Sequence, residues 1–130
     1  MKRMNLLIGF LLLVLLHTIP ANAGVLYGIS LNGAGARSPS TRGIKSSLYR
    51  IDSTTGAGTL VGDIGFTLNS IAFDPTTGIL YGSTTGWNEG YNGLITIDSS
   101  TGAGTAVGTG VGLRNALRSL AFKSNGELFG

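Results

Sequence analysis

Cysteine is absent from the 130 residues, and beyond His17 there is no histidine. The chain after that point therefore lacks the groups for a Ser-His-Asp or Cys-His nucleophile, and it has no imidazole or thiolate ligand for zinc. Disulfides are excluded as a source of stability, which has to come from packing and hydrogen bonding. Carboxylates, tyrosine, lysine and the backbone remain as chemical groups.

The N-terminus has the three parts of a secretory signal peptide. Lys2 and Arg3 precede an apolar run over residues 6–16, Pro20 ends the run, and small residues lead up to Ala23. This order predicts cleavage after Ala23 and a secreted or periplasmic location. A membrane anchor is the alternative, but a span needs about 20 apolar residues, so we expect no membrane span after cleavage.

Charge is nearly balanced once this segment is set aside. Removal of the first 23 of the 130 residues leaves 107, with seven basic and six acidic side chains and a net charge of +1. Nucleic-acid binding calls for a concentrated basic stripe. The composition therefore predicts no nucleic-acid partner.

An internal repeat organises the chain after residue 23. Residues 48–62 (LYRIDSTTGAGTLVG) return as residues 94–108 (LITIDSSTGAGTAVG), an offset of 46 positions. Two further segments return at similar offsets, residues 70–74 as 119–123 and residues 78–82 as 126–130. Repeats of this period indicate one supersecondary unit used more than once.

Each unit contains four short stretches of β-branched, aromatic and aliphatic residues separated by turn-forming clusters. In the complete unit the predicted strands are residues 70–74, 79–83, 93–98 and 104–108. Four strands per 40 to 50 residues is the period of a β-propeller blade. We therefore predict an all-β fold of propeller-type four-stranded repeats over residues 24–130. A β-sandwich is the alternative, although a sandwich does not explain why the sequence repeats after 46 residues. A short helical turn is considered over residues 113–120.

These motifs also carry a family resemblance. The Leu-Tyr-x-Ile-Asp, Thr-Gly-Ala-Gly-Thr and Val-Gly elements, followed by Ile-Ala-Phe-Asp-Pro-x-Thr-Gly-x-Leu-Tyr-Gly, resemble the repeats of secreted bacterial β-propeller proteins, a poorly characterised exported group. The similarity covers residues 26–130. It implies a propeller fold and says little about activity, because propellers serve many functions.

The number of repeats is small for a closed ring. Counted from residue 24, the strands supply three of one unit, all four of the next and two of a third. Closed propellers have four to eight blades. The sequence therefore predicts either a fragment of a larger repeat protein or a subunit that completes its ring by self-association through exposed sheet edges.

The irregular connections are predicted to share one end of the sheets, where function tends to lie. Among them, a glycine-rich segment carries Trp87, Asn88, Glu89 and Tyr91. Two aromatic rings with amide and carboxylate groups between them suit a polar ligand such as an extracellular glycan. The alternative is that Trp87 and Tyr91 cover a sheet edge and anchor the loop.

Basic residues occur in two other irregular connections. Arg37, Arg42 and Lys45 in one connection are candidates for contact with an anionic polysaccharide or a lipid headgroup, and Arg114 in another is a further candidate ligand-binding residue. The alternative is a solvated loop surface.

Three aspartates end predicted strands, and their role is predicted to be structural. Asp52, Asp74 and Asp98 each precede a Ser/Thr-rich segment closed by glycine. An Asp at such a position accepts hydrogen bonds from turn N–H groups, whereas a calcium loop needs further oxygen ligands at fixed spacing. We therefore predict no metal site and no cofactor.

The function that these observations favour is an exported binding or scaffold module for an extracellular glycan or another protein. The alternative is a carboxylate-dependent hydrolase or lyase acting on extracellular polysaccharide, for which Asp63 and Glu89 are the candidate acids.

Overall fold

Antiparallel strands dominate the fold. A computed structural model of the chain describes residues 25–31, 44–85, 91–110 and 117–130. The strands in these ranges are β1 (Leu26–Leu31), β2 (Ser46–Ile51), β3 (Gly58–Asp63), β4 (Leu68–Phe73), β5 (Leu80–Thr84), β6 (Leu94–Ile97), β7 (Gly104–Ala106), β8 (Ala121–Phe122) and β9 (Leu128–Phe129).

Consecutive strands pair into three antiparallel sheets. The first sheet has the order β1-β2-β3, the second β4-β5-β6-β7 and the third β8-β9. The all-β prediction is confirmed, and so is the predicted division into three, four and two strands. The first half of the suggested helical turn, residues 113–116, lies outside the described residues, and residues 117–120 are not helical.

The two copies of the repeat occupy equivalent places in separate sheets. Matching rows of opposed residues cross the first sheet at Leu26, Ile51 and Gly58, and the second at Leu80, Ile97 and Gly104. Because opposed residues point to the same side of a sheet, the repeat produces the same face twice. We call this side the front face of each sheet and the opposite side the back face.

The core lies between the back face of the first sheet and the front face of the second. Its buried members are Leu48, Ile64, Leu68, Leu80, Ile95 and Ile97. Leu48 comes from the back face of the first sheet, whereas Ile95 and Ile97 come from the front face of the second. Burial of such side chains stabilises by about 1.5 to 3 kcal/mol each, so this contact holds the two sheets together.

The outer parts of these two sheets meet backbone against backbone. A Cβ on Gly62 of β3 would lie 3.1 Å from the carbonyl carbon of Thr101 and far inside contact distance of its oxygen. Gly102, at φ +85°, would place a Cβ 2.8 Å from the Gly62 carbonyl. The Gly104 N–H donates to the Ile64 carbonyl at 2.9 Å. Glycine is required at this approach because no side chain fits.

The third sheet packs on the back face of the second. The rings of Tyr81 and Phe122 lie 5.4 Å apart, and the Leu120 N–H donates to Ser70 Oγ at 3.1 Å. Strand β4 contacts both β1 and β8. The first strand of the complete unit therefore lies between the neighbouring sheets.

Candidate functional site

Irregular connections gather at one end of the sheets, which we call the loop end. The Thr67 hydroxyl, after β3, donates to the carbonyl of Ile44, before β2. The Thr85 N–H, after β5, donates to the Thr67 carbonyl at 2.9 Å. The Asn69 amide donates to the Leu117 carbonyl, before β8, at 3.0 Å. Hydrogen bonds thus join the connections that follow β1, β3 and β5 to one another, and join the end of the connection after β7 to strand β4.

Buried hydroxyls fix the backbone at the loop end, and sequence reasoning missed them. Thr84 Oγ1 accepts the Gly93 N–H at 3.0 Å and lies 3.0 Å from the Tyr91 carbonyl, to which its proton can be donated. Ser46 Oγ accepts the Leu68 N–H at 3.0 Å. Both side chains are buried. Hydroxyl residues directly at strand ends are the signal that could have indicated them.

Tyr91 belongs to the candidate aromatic segment and lies within the described residues. Its hydroxyl lies 2.7 Å from the Leu94 carbonyl and 2.8 Å from the Val107 carbonyl, so one proton is shared between two acceptors. The ring packs edge-on against Phe66 with centroids 6.1 Å apart. The phenol ties the β5–β6 connection to the end of β7, which matches the anchoring alternative.

Replacement of Tyr91 by phenylalanine is expected to lower the free energy of unfolding by about 0.5 to 1.5 kcal/mol, because a hydrogen bond is lost while the ring contact remains. Urea denaturation followed by fluorescence measures this change. Tyr49→Phe is the control, since no hydrogen bond joins the Tyr49 hydroxyl to the described part of the chain. Equal effects of the two substitutions would contradict the anchoring role.

Six candidates from the sequence lie outside the described residues: Arg37, Arg42, Trp87, Asn88, Glu89 and Arg114. Of the two candidate acids for a hydrolase, Asp63 accepts the Ser47 hydroxyl at 2.6 Å. Glu89 is among the undescribed residues, so the structure defines no carboxylate pair.

The opposite end of the sheets, the turn end, carries the repeated aspartates in tight turns. Asp52 accepts the N–H of Thr54 at 2.7 Å, and Asp98 accepts the N–H and hydroxyl of Ser100 at 2.8 and 2.6 Å. In the buried Asp74 one oxygen accepts from Thr76 and the other from Thr77. These bonds confirm the predicted turn capping.

The same hydrogen bonds lower the pKa of all three carboxyls. The Thr54 N–H is the main cause of the lowered pKa at Asp52, the Thr77 hydroxyl at Asp74 and the Ser100 hydroxyl at Asp98. Each donor stabilises the charged carboxylate relative to the neutral acid.

Stability is therefore expected to fall in acid. A carboxyl whose pKa is lower in the folded than in the unfolded chain contributes stability above the unfolded value of about 3.9, and the contribution disappears as pH falls through the lowered value. Melting temperatures measured between about pH 6 and pH 2 should decline most steeply below about pH 4.

An Asp74→Asn variant, which cannot titrate, should show a shallower decline than the parent chain. An identical decline in the two proteins would contradict the assignment of acid lability to this turn.

Two other features of the described residues bear on ligand binding. No group of three or more potential metal ligands is found in the described ranges. An open cleft of about 500 Å³ lies at the turn end, lined by Val25, Arg50, Ile51, Asp52, Ser53, Thr54 and Thr59. The Asp52 carboxylate in this cleft already accepts hydrogen bonds from the N–H groups of Thr54 and Thr55 in its own turn.

Comparisons with protein families, curated proteins and solved structures found no match for this chain. Within the described ranges, no helix is long and apolar enough to cross a membrane.

Proposed function

We propose that the chain is an exported, propeller-type module that binds an extracellular glycan at its loop end. The observation that carries the proposal is the asymmetry between the two ends. Tight turns that bind their own aspartate carboxylates occupy one end, whereas connections of different length and sequence begin and end at the other. Ligand sites are generally built on such variable loops held by a rigid scaffold.

The sequence of the loop connections supports a polar ligand. Trp87, Asn88 and Glu89 combine an aromatic surface with hydrogen-bonding groups, and Arg37, Arg42 and Arg114 add positive charge for an anionic sugar. The Tyr91 hydroxyl is occupied by backbone carbonyls, so the proposal assigns sugar stacking to Trp87. It also includes export after cleavage behind Ala23, which mass determination of the exported protein tests.

A glycan array probed with the purified full-length product tests the binding proposal. We expect binding to a defined class of polysaccharide, weakened at least about tenfold by Trp87→Ala, because aromatic residues dominate binding energy at such contacts. Phe73→Ala is the control, since Phe73 is an exposed aromatic residue at the turn end. Absence of any bound glycan, or an equal loss in the two variants, would overturn the proposal.

A further inference from the structure

The front faces of the first two sheets are alike in sequence but differ in burial. In the second sheet, Ile95 is fully buried and Ile97 is 4% exposed, because this face packs on the first sheet. In the first sheet the corresponding Tyr49 and Ile51 are only half-buried. Leu26, on the same face, is 52% exposed. Within the described ranges, this apolar face is therefore covered in the second sheet and largely open in the first.

The glycine contacts show a matching pair of open positions. The backbone of Gly102, in the turn of the second sheet, contacts the backbone of Gly62 in the first sheet. Their repeat counterparts, 46 positions away, are Gly56 in the turn of the first sheet and Gly108 after β7. A Cβ on either of these would meet nothing within 4 Å. The first sheet thus exposes the counterpart of Gly102, and the second sheet exposes the counterpart of Gly62.

We propose that the front face of the first sheet binds the back face of the second sheet in another copy of this chain. In this arrangement the turn at Gly56 of one copy lies against Gly108 of the next, and repeats the contact that Gly102 makes with Gly62 within the chain. The occupant is a second copy because the back face of its second sheet repeats, at residues 94 and 107–108, the Leu, Val and Gly of the covered face of the first sheet.

The third sheet accommodates the incoming copy by exchange of one strand. Strand β9 holds β8 through only two residue pairs, Ala121 with Phe129 and Phe122 with Leu128. Its sequence, Leu-Phe-Gly, corresponds to Leu-Tyr-Gly at the start of β1. We infer that β1 of the second copy takes the place of β9 beside β8. Strand β8 thereby loses its pairing with the two-residue β9 and gains pairing with the six-residue β1 of the second copy. The exposed edge of β1 is covered by β8 in the same step.

The contact is head-to-tail, so it forms closed rings if the rotation between copies closes. Each copy then contributes two complete four-stranded sheets: its second sheet, and a composite of β8 with the first sheet of the next copy. Rings of two, three or four copies would contain about four to eight sheets, within the usual range of propellers. Ring closure rests on the propeller arrangement proposed above, but its readout is independent of glycan binding.

Light scattering coupled to size-exclusion chromatography tests self-association of the purified full-length product. We expect a discrete dimer, trimer or tetramer. Leu26→Glu should weaken association at least about tenfold, because the equivalent Leu80 is 2% exposed in the contact within the chain, so that a charge at position 26 would be buried. The control is Ile79→Glu, a similarly exposed apolar residue whose repeat counterpart, Glu127, is already acidic. A monomer at every soluble concentration, or equal behaviour of the two variants, would overturn the proposal.

Cross-linking tests the direction of the contact. Because the chain has no cysteine of its own, only the introduced cysteines can react. Thr55→Cys and Val107→Cys variants, mixed and treated with a short bis-maleimide, should form cross-linked dimers. Each variant alone should not. Dimers formed by either variant alone would indicate a face-to-face contact and contradict the head-to-tail arrangement, whether or not the protein binds glycan.

Discussion

Replacement of Gly62 by alanine is expected to lower the free energy of unfolding by about 3 kcal/mol or more, because a Cβ there would meet backbone more closely than at any other described glycine. The added carbon would overlap the carbonyl of Thr101. Backbone lies on both sides of the contact, so no side chain can rotate away. The first and second sheets would have to separate, which exposes the core between them. Urea denaturation measures the effect.

Gly58→Ala is the matched control for this substitution. Gly58 belongs to the same strand, and a Cβ there would lie 3.4 Å from the end of the Ile51 side chain. A change of less than about 1 kcal/mol is expected, because the alanine meets ordinary contacts. Equal effects at the two glycines would mean that the sheets do not approach each other at Gly62.

Truncation of Ile97 to alanine is expected to cost about 2 to 5 kcal/mol, as for other buried isoleucines. Ile97 is 4% exposed. The same substitution at Ile51, its repeat counterpart, should cost about 1 kcal/mol, because that side chain is only half-buried in the single chain. Ile97 and Ile51 are the same residue type at equivalent places in their sheets. The difference between the two losses in free energy of unfolding therefore measures the contribution of packing one sheet on the next.

Both isoleucine variants should be measured in dilute solution, where self-association is minimal. Equal losses under these conditions would contradict the assignment of the two front faces to different environments. A loss at Ile51 that grows with protein concentration would instead support the intermolecular contact proposed above.

The sequence was sufficient to predict the strands and turns because their signals are local. The repeat located β4 to β7 within a few residues, and the three Asp-to-Gly turns were recognisable from the side chains that form them. The division into three sheets followed from counting strands against the repeat. Each of these features depends on residues close together in the chain.

The contacts between sheets could not be predicted, because they join residues far apart in sequence. Gly62 and Gly108 are identical in the repeat, yet only Gly62 meets another backbone. Tyr91 is a residue type that often contacts ligands, but its hydroxyl is bound by two backbone carbonyls. The position of these carbonyls depends on the fold and cannot be read from the sequence. The buried hydroxyls of Ser46 and Thr84 likewise acquire their role from packing at the loop end.

The central claim is that equivalent sheets pack front face to back face, and nuclear Overhauser effects at Gly62 and Gly102 test it most directly. Protons of these two residues should show strong mutual contacts. Cross-strand contacts between Ile51 and Ile97 should be absent, because each lies in its own sheet. Strand pairing between those isoleucines, with no Gly62 to Gly102 contact, would place both repeats in one sheet and contradict the account.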